Sequence, residues 1–373
     1  MSGFLTDRAV AERVLRHIDE GSTDRGDVVW REPVANYRSE ERLDAELRVL
    51  RRSPVAFCPS AALPEAGCYV ARESAGTPIF AVRGRDGRVR AFRNACRHRG
   101  MQIASGSGCK QAFVCPYHGW TYQLDGALKH IPHEDGFPGL DRAAHGLVPV
   151  TAEERLGLVF VIQEGGAEAA SSLDGLPTLF APEQEILAST EAEVDVNWKV
   201  YLEGFIEGYH IKPTHPESFY PYGFDNLNVI EHAGPHSRVT YPFRRIEKLR
   251  DVPPEDRRIE GLVTYVYHLF PNALVTVLSR HTNLVVLEPT GTGRTRGTFY
   301  ALTNPGGGEE ARQLAERDAS FVSDNGLAED LAVVKAIQAS IGSGANEHFT
   351  FGHFEPAIVH FHRTLAGALA RCA

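Results

Sequence analysis

Two short arms of this 373-residue chain each carry one thiol and one imidazole: Cys96-Arg97-His98 and Cys115-Pro116-Tyr117-His118. Glycines flank both, in Arg99-Gly100 and Gly119-Trp120, so each arm reads as a tight loop. One use of two sulfurs and two nitrogens is a structural Cys2His2 zinc site. The other is a [2Fe-2S] unit in which one iron takes both cysteines and the other both histidines. Zinc fingers pair cysteine with cysteine and histidine with histidine locally, whereas each arm here holds one of each, which favours the cluster.

A second constellation runs from Asn197-Trp198-Lys199-Val200 through Glu203, Glu207, His210, Pro213 and His215. Trp198, Tyr201, Leu202, Phe205 and Tyr209 recur every three or four residues, predicting a helix that Pro213 ends near Ile211. His210 then sits on its last turn and His215 on the following loop, from which two imidazoles can converge on one metal. A mononuclear Fe(II) oxygen site needs two imidazoles and one carboxylate with open positions left for oxygen. Asp330 supplies the carboxylate, within the apolar stripe Leu327, Leu331, Val334, Ile337 and Ile341. Burial there is costly unless the carboxylate is paired or binds metal. Glu329, about 100° around the helix, reads as solvated. The competing readings are surface or core histidines and a salt-bridged or helix-capping Asp330.

The elements that position these groups fall into two domains behind an N-terminal arm, as the chain length suggests. Thr6 to Glu20 and Ser39 to Leu50 read as helices, giving a helical arm over residues 1–44. Over 45–165 the period shortens towards two. Pro78–Val82 and Val89–Phe92 flank an Asp86-Gly87 turn, Leu124-Asp125-Gly126-Ala127-Leu128 repeats the device, and Leu158–Val161 closes a small antiparallel β domain. Glu164 to Ser172 reads as an exposed linker into a domain over 166–373, with strand-like runs at Thr264–Leu269 and Asn272–Leu278. Beyond Cys96 and Cys115, the irregular spacing of Cys58, Cys68, Cys109 and Cys372 suggests reduced thiols. A net charge of −9 with interspersed signs offers no polybasic footprint, so no nucleic-acid or anionic-membrane partner is expected. No apolar run is long enough for a membrane span, and the N-terminus lacks a signal peptide's apolar core, so a cytoplasmic protein is expected.

The segments Asn94–Gly100 and Cys115–Tyr122 resemble the Rieske domain of the ring-hydroxylating oxygenase alpha subunits. Respiratory-chain Rieske proteins carry an extra cysteine in each loop, where Met101 and Tyr117 stand here, so the oxygenase type is the closer match. Asn197-Trp198-Lys199, Glu207-Gly208-Tyr209-His210, His215-Pro216 and the distant Asp330 resemble the catalytic domain of the same family in order and spacing. The resemblance implies an α+β protein: an antiparallel β Rieske domain plus a helix-grip catalytic domain with an antiparallel sheet. It implies one [2Fe-2S] cluster on Cys96, His98, Cys115 and His118, and one mononuclear Fe(II) on His210, His215 and Asp330. Glu207 takes the role of a bridge, hydrogen bonded to His210 and to His118 of a neighbouring subunit in a head-to-tail trimer or larger ring. Ring dioxygenases typically place aspartate at the bridge, and many relatives have asparagine where Gly204 stands. Glutamate there resembles the quaternary-amine oxygenases and some aromatic-compound homologues.

The expected activity is that of a terminal oxygenase using O2 to hydroxylate a small aromatic or cyclic compound, as in aromatic catabolism. The alternatives are a mono-oxygenase or demethylase of a quaternary amine or N/O-methyl compound, and a non-catalytic Rieske electron-transfer protein. No Gly-rich dinucleotide fingerprint follows a strand, so electrons are expected from a separate NAD(P)H-dependent reductase, directly or through a ferredoxin. Phe205, His236, Val277, His281 and Asn283 are the candidates for the substrate pocket. Phe219, Tyr220, Tyr222 and Phe224 add an aromatic-rich region, and aromatic cages also bind quaternary ammonium groups.

Overall fold

The computed structural model of the chain describes residues 3–165 and 167–372. Contacts divide it into two units. One holds residues 50–171 and 178–182, the other residues up to Val49, 172–177 and from Glu183 onward. Gly166, inside the stretch expected to be a linker, lies outside the described residues; Ala167–Leu173 forms a 3-10 helix.

In the first unit an antiparallel sheet orders its strands as Val55–Pro59, Leu158–Ile162, Pro149–Arg155, Val89–Arg93, Thr77–Arg83, Cys68–Ser74 and Gly106–Cys109. The Asp86-Gly87 hairpin forms as the alternation demands, Ile79 opposite Arg93 through Arg83 opposite Val89. A three-stranded sheet, Phe113–Val114, Thr121–Tyr122 and Leu128–His130, carries the second arm. Phe80, Phe92, Phe113, Trp120, Tyr122 and Ile131 pack beneath both arms together with Cys96 and Cys115.

One expectation for this unit is overturned. Cys68 and Cys109 are not separate thiols: they are directly opposed across antiparallel strands and form a disulfide. Their pairing depends on strand register, which linear spacing does not reveal. Cys58 remains a free, buried thiol, its pKa pushed up to about 12 by burial.

The second unit is built on an antiparallel sheet ordered Ile186–Val194, Arg294–Thr303, His281–Gly291, Ala273–Val277, Val263–Leu269, His236–Pro242 and Val229–Ala233. The N-terminal helix Asp7–Glu20, capped by Thr6, packs within this unit and buries Val10, Ala11, Val14 and Leu15. Asn197-Trp198-Lys199 opens the helix Trp198–Glu203. Asn197 caps it by accepting from the Lys199 N–H at 2.9 Å. Trp198 Nε1 donates to Glu46 at 2.9 Å, and Lys199 Nζ pairs with Glu46 at 2.7 Å with both side chains buried. A carboxylate and an ammonium so buried depend on each other.

The helix expected from Trp198 to Ile211 breaks after Glu203. Tyr241, from a strand remote in sequence, donates its hydroxyl to the carbonyls of Phe205 and Glu207 at 2.9 and 3.0 Å. The Glu207 carboxylate in turn accepts from the Tyr209 and His210 N–H groups. These bonds replace helical ones. His210 therefore precedes a separate short helix, Ile211–Thr214, which contains Pro213 instead of ending before it. Downstream, the helix Glu309–Phe321 passes through a π-helical turn, Val322–Leu327, into Ala328–Ser340. That last helix buries Val334 with Ile341 at its end, while Ile337, expected in its stripe, is exposed. No described helix is long and apolar enough to cross a membrane.

Candidate metal centres

The two Cys/His arms close in the same way. In the first, Gly100 N–H bonds the Cys96 carbonyl at 2.9 Å and Cys96 N–H bonds Met101 O at 2.8 Å. In the second, Gly119 N–H bonds Cys115 O at 3.0 Å and Cys115 N–H bonds Trp120 O at 2.8 Å. Gly100 and Gly119 have φ of 78° and 72°, the left-handed conformation that such a turn requires and that glycine adopts freely. The loops thus bury two thiols and turn two imidazoles toward each other. Cys96 and Cys115 are buried, and His98 Nδ1 lies 3.1 Å from His118 Nδ1 with the rings 4.7 Å apart. At that distance the two nitrogens can share a proton as a hydrogen bond or share a cation. Tyr122 Oη lies 3.3 Å from Cys96 Sγ and accepts the Arg97 N–H, while Trp120 stacks on His98 with an interplanar angle of 8°. His118 is exposed at the surface with Tyr117 stacked against it.

In the second unit His210, His215 and Asp330 converge, with their ligand atoms within 4.8 Å of one another. His215 Nε2 lies 2.9 Å and His210 Nε2 3.6 Å from Asp330 Oδ1. His215 is fully buried, and its Nε2 meets the Asp330 carboxylate without the alignment of a hydrogen bond, a position that a metal between them would satisfy. The Nδ1 atoms are already engaged: His210 with Glu207, His215 with Glu329 at 2.7 Å. Those bonds fix both rings with Nε2 facing inward, the usual outer support of a metal-binding histidine. Burial lowers the pKa of both histidines, but the bond and charge of Glu207 on His210, and the Asp330 carboxylate beside His215, outweigh it and raise each above its ordinary value. Three carboxylates around two imidazoles call for positive charge, which a divalent ion supplies.

Glu329 is not the solvated residue expected from its helix angle. It bonds His215 and accepts from Ser218 Oγ at 2.5 Å, because the imidazole stands between the adjacent carboxylates of Glu329 and Asp330. Burial pushes its pKa up, yet the bonds from His215 and Ser218 hold it below the usual value. The signal available in the sequence was Glu329's adjacency to a ligand, since a metal-binding histidine needs an acceptor for its other nitrogen. Phe219 packs 4.8 Å from the His215 ring, and its close approach requires Gly326 in the π-helical turn: a Cβ there would stand 1.9 Å from the Phe219 ring.

The histidines and Asp330 open into a cavity of about 1230 Å³. Its floor is a row across the sheet: Val266 opposite Thr276, Thr276 opposite Asn283, Asn283 opposite Ala301, and Ala301 opposite Ala188. Tyr201, Phe205, Tyr241, Phe299 and Tyr300 add aromatic walls. Of the five expected pocket residues, Phe205 and Asn283 line it; His236, Val277 and His281 do not. His236 is held between Ser172 O and the Phe270 N–H, and burial lowers its pKa to about 4. Val277 follows Thr276 on its strand and so points to the opposite face. His281 is buried behind Asp318, whose carboxylate lies 3.0 Å from its Nδ1 and which lines the cavity in its place.

An antiparallel β unit with a Cys2His2 loop site and an α+β unit with a His2Asp centre in a large cavity together define a two-centre metalloprotein. Residues 183–371 match the ring hydroxylating alpha subunit (catalytic domain) family and residues 53–145 the Rieske [2Fe-2S] domain; the chain belongs to the ring-hydroxylating alpha-subunit family. The Rieske domain binds a [2Fe-2S] cluster, and the catalytic domain of this family binds a mononuclear iron. The carnitine monooxygenase oxygenase subunit of Escherichia coli (strain K12) is 35% identical over 198 residues, 50% of this chain and 52% of that protein. The glycine betaine monooxygenase oxygenase subunit of Chromohalobacter salexigens is 36% identical over 161 residues, 42% of this chain and 36% of that protein. The chain spans about half the length of the curated relatives it matches. Its fold is shared with the quaternary ammonium Rieske monooxygenase CntA (TM-score 0.78, 21% identity, 98% of this chain and 99% of that one). It is shared equally with naphthalene 1,2-dioxygenase from Rhodococcus sp. (TM-score 0.77, 18% identity, 97% and 98%).

Proposed function

We propose that the chain is the terminal oxygenase of a multicomponent Rieske system that oxygenates a small quaternary ammonium compound. Cys96, His98, Cys115 and His118 hold the cluster, and His210, His215 and Asp330 hold the mononuclear iron. Convergence of those three donors on an aromatic-walled cavity, in a chain with a Rieske domain, carries the reading. When bound, the two iron centres supply electrons one at a time and activate O2. The chain's own residues do the rest. Glu207 and Glu329 hold the Nδ1 protons of His210 and His215, leaving each Nε2 as a donor. Tyr201, Phe205, Tyr241 and Phe299 line the cavity with aromatic rings, a surface that attracts a cation. Glu207 is also assigned the subunit-crossing bridge in a ring of identical subunits, commonly a trimer, fed by a separate reductase.

The names of the relatives favour quaternary amines as the substrate class. Val266, Ala301 and Ala188, the apolar members of a floor that also holds Thr276 and Asn283, support a second reading, hydroxylation of an aromatic compound. A single turnover separates them. Holoenzyme reduced with dithionite, freed of excess reductant and exposed to 18O2 should convert carnitine or glycine betaine with one 18O incorporated, or release labelled formaldehyde if an N-methyl group is hydroxylated. Conversion of indole or naphthalene with none of either amine would overturn the substrate class, and conversion of neither class would overturn the oxygenase reading.

A further inference from the structure

We propose that Cys68 and Cys109 form a thiol–disulfide site that latches the connector between the two cluster arms and is opened by small thiol reductants. The bond joins the strand Cys68–Ser74 to Gly106–Cys109, the outermost strand of its sheet. That edge strand reads Gly-Ser-Gly-Cys and is exposed throughout. Without an apolar side chain to bury, and with two glycines, it has little of its own to hold it in the sheet. Its place in the chain matters more. On its N-terminal side, Asn94 pins the first arm by bonding the N–H groups of Ile103 and Ala104 and the Ala104 carbonyl, at 3.0, 3.1 and 2.7 Å. On its C-terminal side, Phe113 and Val114 lead directly into Cys115. The disulfide is therefore the covalent anchor of the segment that sets one ligand arm against the other.

The two sulfurs differ in access: Cys68 is 2% exposed, whereas Cys109 lies on the surface. A small thiolate such as glutathione attacks Cys109 Sγ, the S–S bond breaks, and Cys68 leaves as a thiolate and takes up a proton. A second thiolate attacks the glutathione sulfur of the mixed disulfide, releasing Cys109 and the oxidised dimer. Two small thiols are oxidised as one protein disulfide is reduced. Closure is the reverse, with a small disulfide as oxidant. With the latch open, the edge strand separates from Cys68–Ser74 more readily and the arms loosen around the cluster.

Two measurements test this on the full-length holoprotein. Protein purified without reductant, denatured with a chelator and alkylated with iodoacetamide, should gain four carbamidomethyl groups by intact mass, on the free Cys58, Cys96, Cys115 and Cys372, and all six after dithiothreitol. Six groups without reductant would overturn the site, whether or not the cluster assignment holds. The second measurement rests on that assignment. The rate at which an iron chelator bleaches the cluster should rise about tenfold on reduction of the wild type and in the double variant C68S/C109S. Dithiothreitol should leave the double variant's rate unchanged. Equal rates for oxidised and reduced wild type would overturn the latch, a result that does not depend on the variant folding.

Discussion

Replacing Glu329 by alanine removes the acceptor that orients His215 and leaves all three assigned iron ligands in place. The structure gives the carboxylate bonds to His215 Nδ1 at 2.7 Å and to Ser218 Oγ at 2.5 Å. Outer partners of metal-binding histidines are worth about 10- to 100-fold in metal affinity. The Glu329 side chain is 34% exposed, so water replaces part of what is lost and the lower end applies. We expect E329A to weaken Fe(II) binding about tenfold, or about 1.4 kcal/mol. E329Q, which still accepts a hydrogen bond without the charge, should fall between, and S218A should cost only about twofold. The assay is Fe(II) titration of protein depleted of its mononuclear iron, with the cluster retained and checked by sulfide content. Wild-type Fe(II) affinity in E329A, or loss of the cluster instead of the iron, would refute the assigned geometry.

Three further outcomes are expected. At saturating Fe(II), E207A should keep both metal centres and lose at least about tenfold in turnover, read by iron and sulfide content beside steady-state rates; unchanged turnover contradicts the role assigned to Glu207. Lys199 is one of two cations on the buried Glu46, the other being Arg42 at 2.9 Å, so K199M removes part of that pairing and should lower the melting temperature by roughly 4 °C in calorimetry. Charging the same site less severely, K199M/E46Q should recover part of that loss, and a drop of a degree or less in K199M would show the pair to be dispensable. Burial, with Glu207 and Glu203 adding repulsion, raises the Glu355 pKa from 4.5 to about 7 despite the Gly352 N–H bond. The folded state then holds a proton that the unfolded chain has released, so stability from this group is full below pH 4.5 and is lost as pH rises through 7. E355Q should flatten that fall in thermal melts between pH 5 and 8, and an unaltered slope would show that Glu355 does not titrate there.

The cluster arms were legible because each is a local loop whose ligands and glycines are neighbours in the chain. The second centre was legible in part. His210, His215 and Asp330 carried their chemistry openly, but the non-helical run after Glu203 is held by Tyr241, which the fold brings in from a distant strand. Periodicity could not see a hydroxyl that competes for helix carbonyls. Glu329 was misread because a helix angle describes one face, while the His215 ring offers opposite edges to two adjacent carboxylates. The pocket turned on strand register: Asn283 belongs to a row running Val266, Thr276, Asn283, Ala301, whereas Val277 sits one residue out of phase. Register also hid the Cys68–Cys109 bond, whose partners are 41 residues apart.

The central claim is that one chain holds a Rieske cluster and a separate mononuclear iron. Iron and acid-labile sulfide counted on anaerobically purified protein, with the EPR spectrum of the reduced sample, address it directly. About three irons and two sulfides per chain with a Rieske signal are expected. About two irons and two sulfides after reconstitution with Fe(II) would leave His210, His215 and Asp330 without iron and make the chain an electron carrier, while zinc without sulfide would contradict the cluster itself.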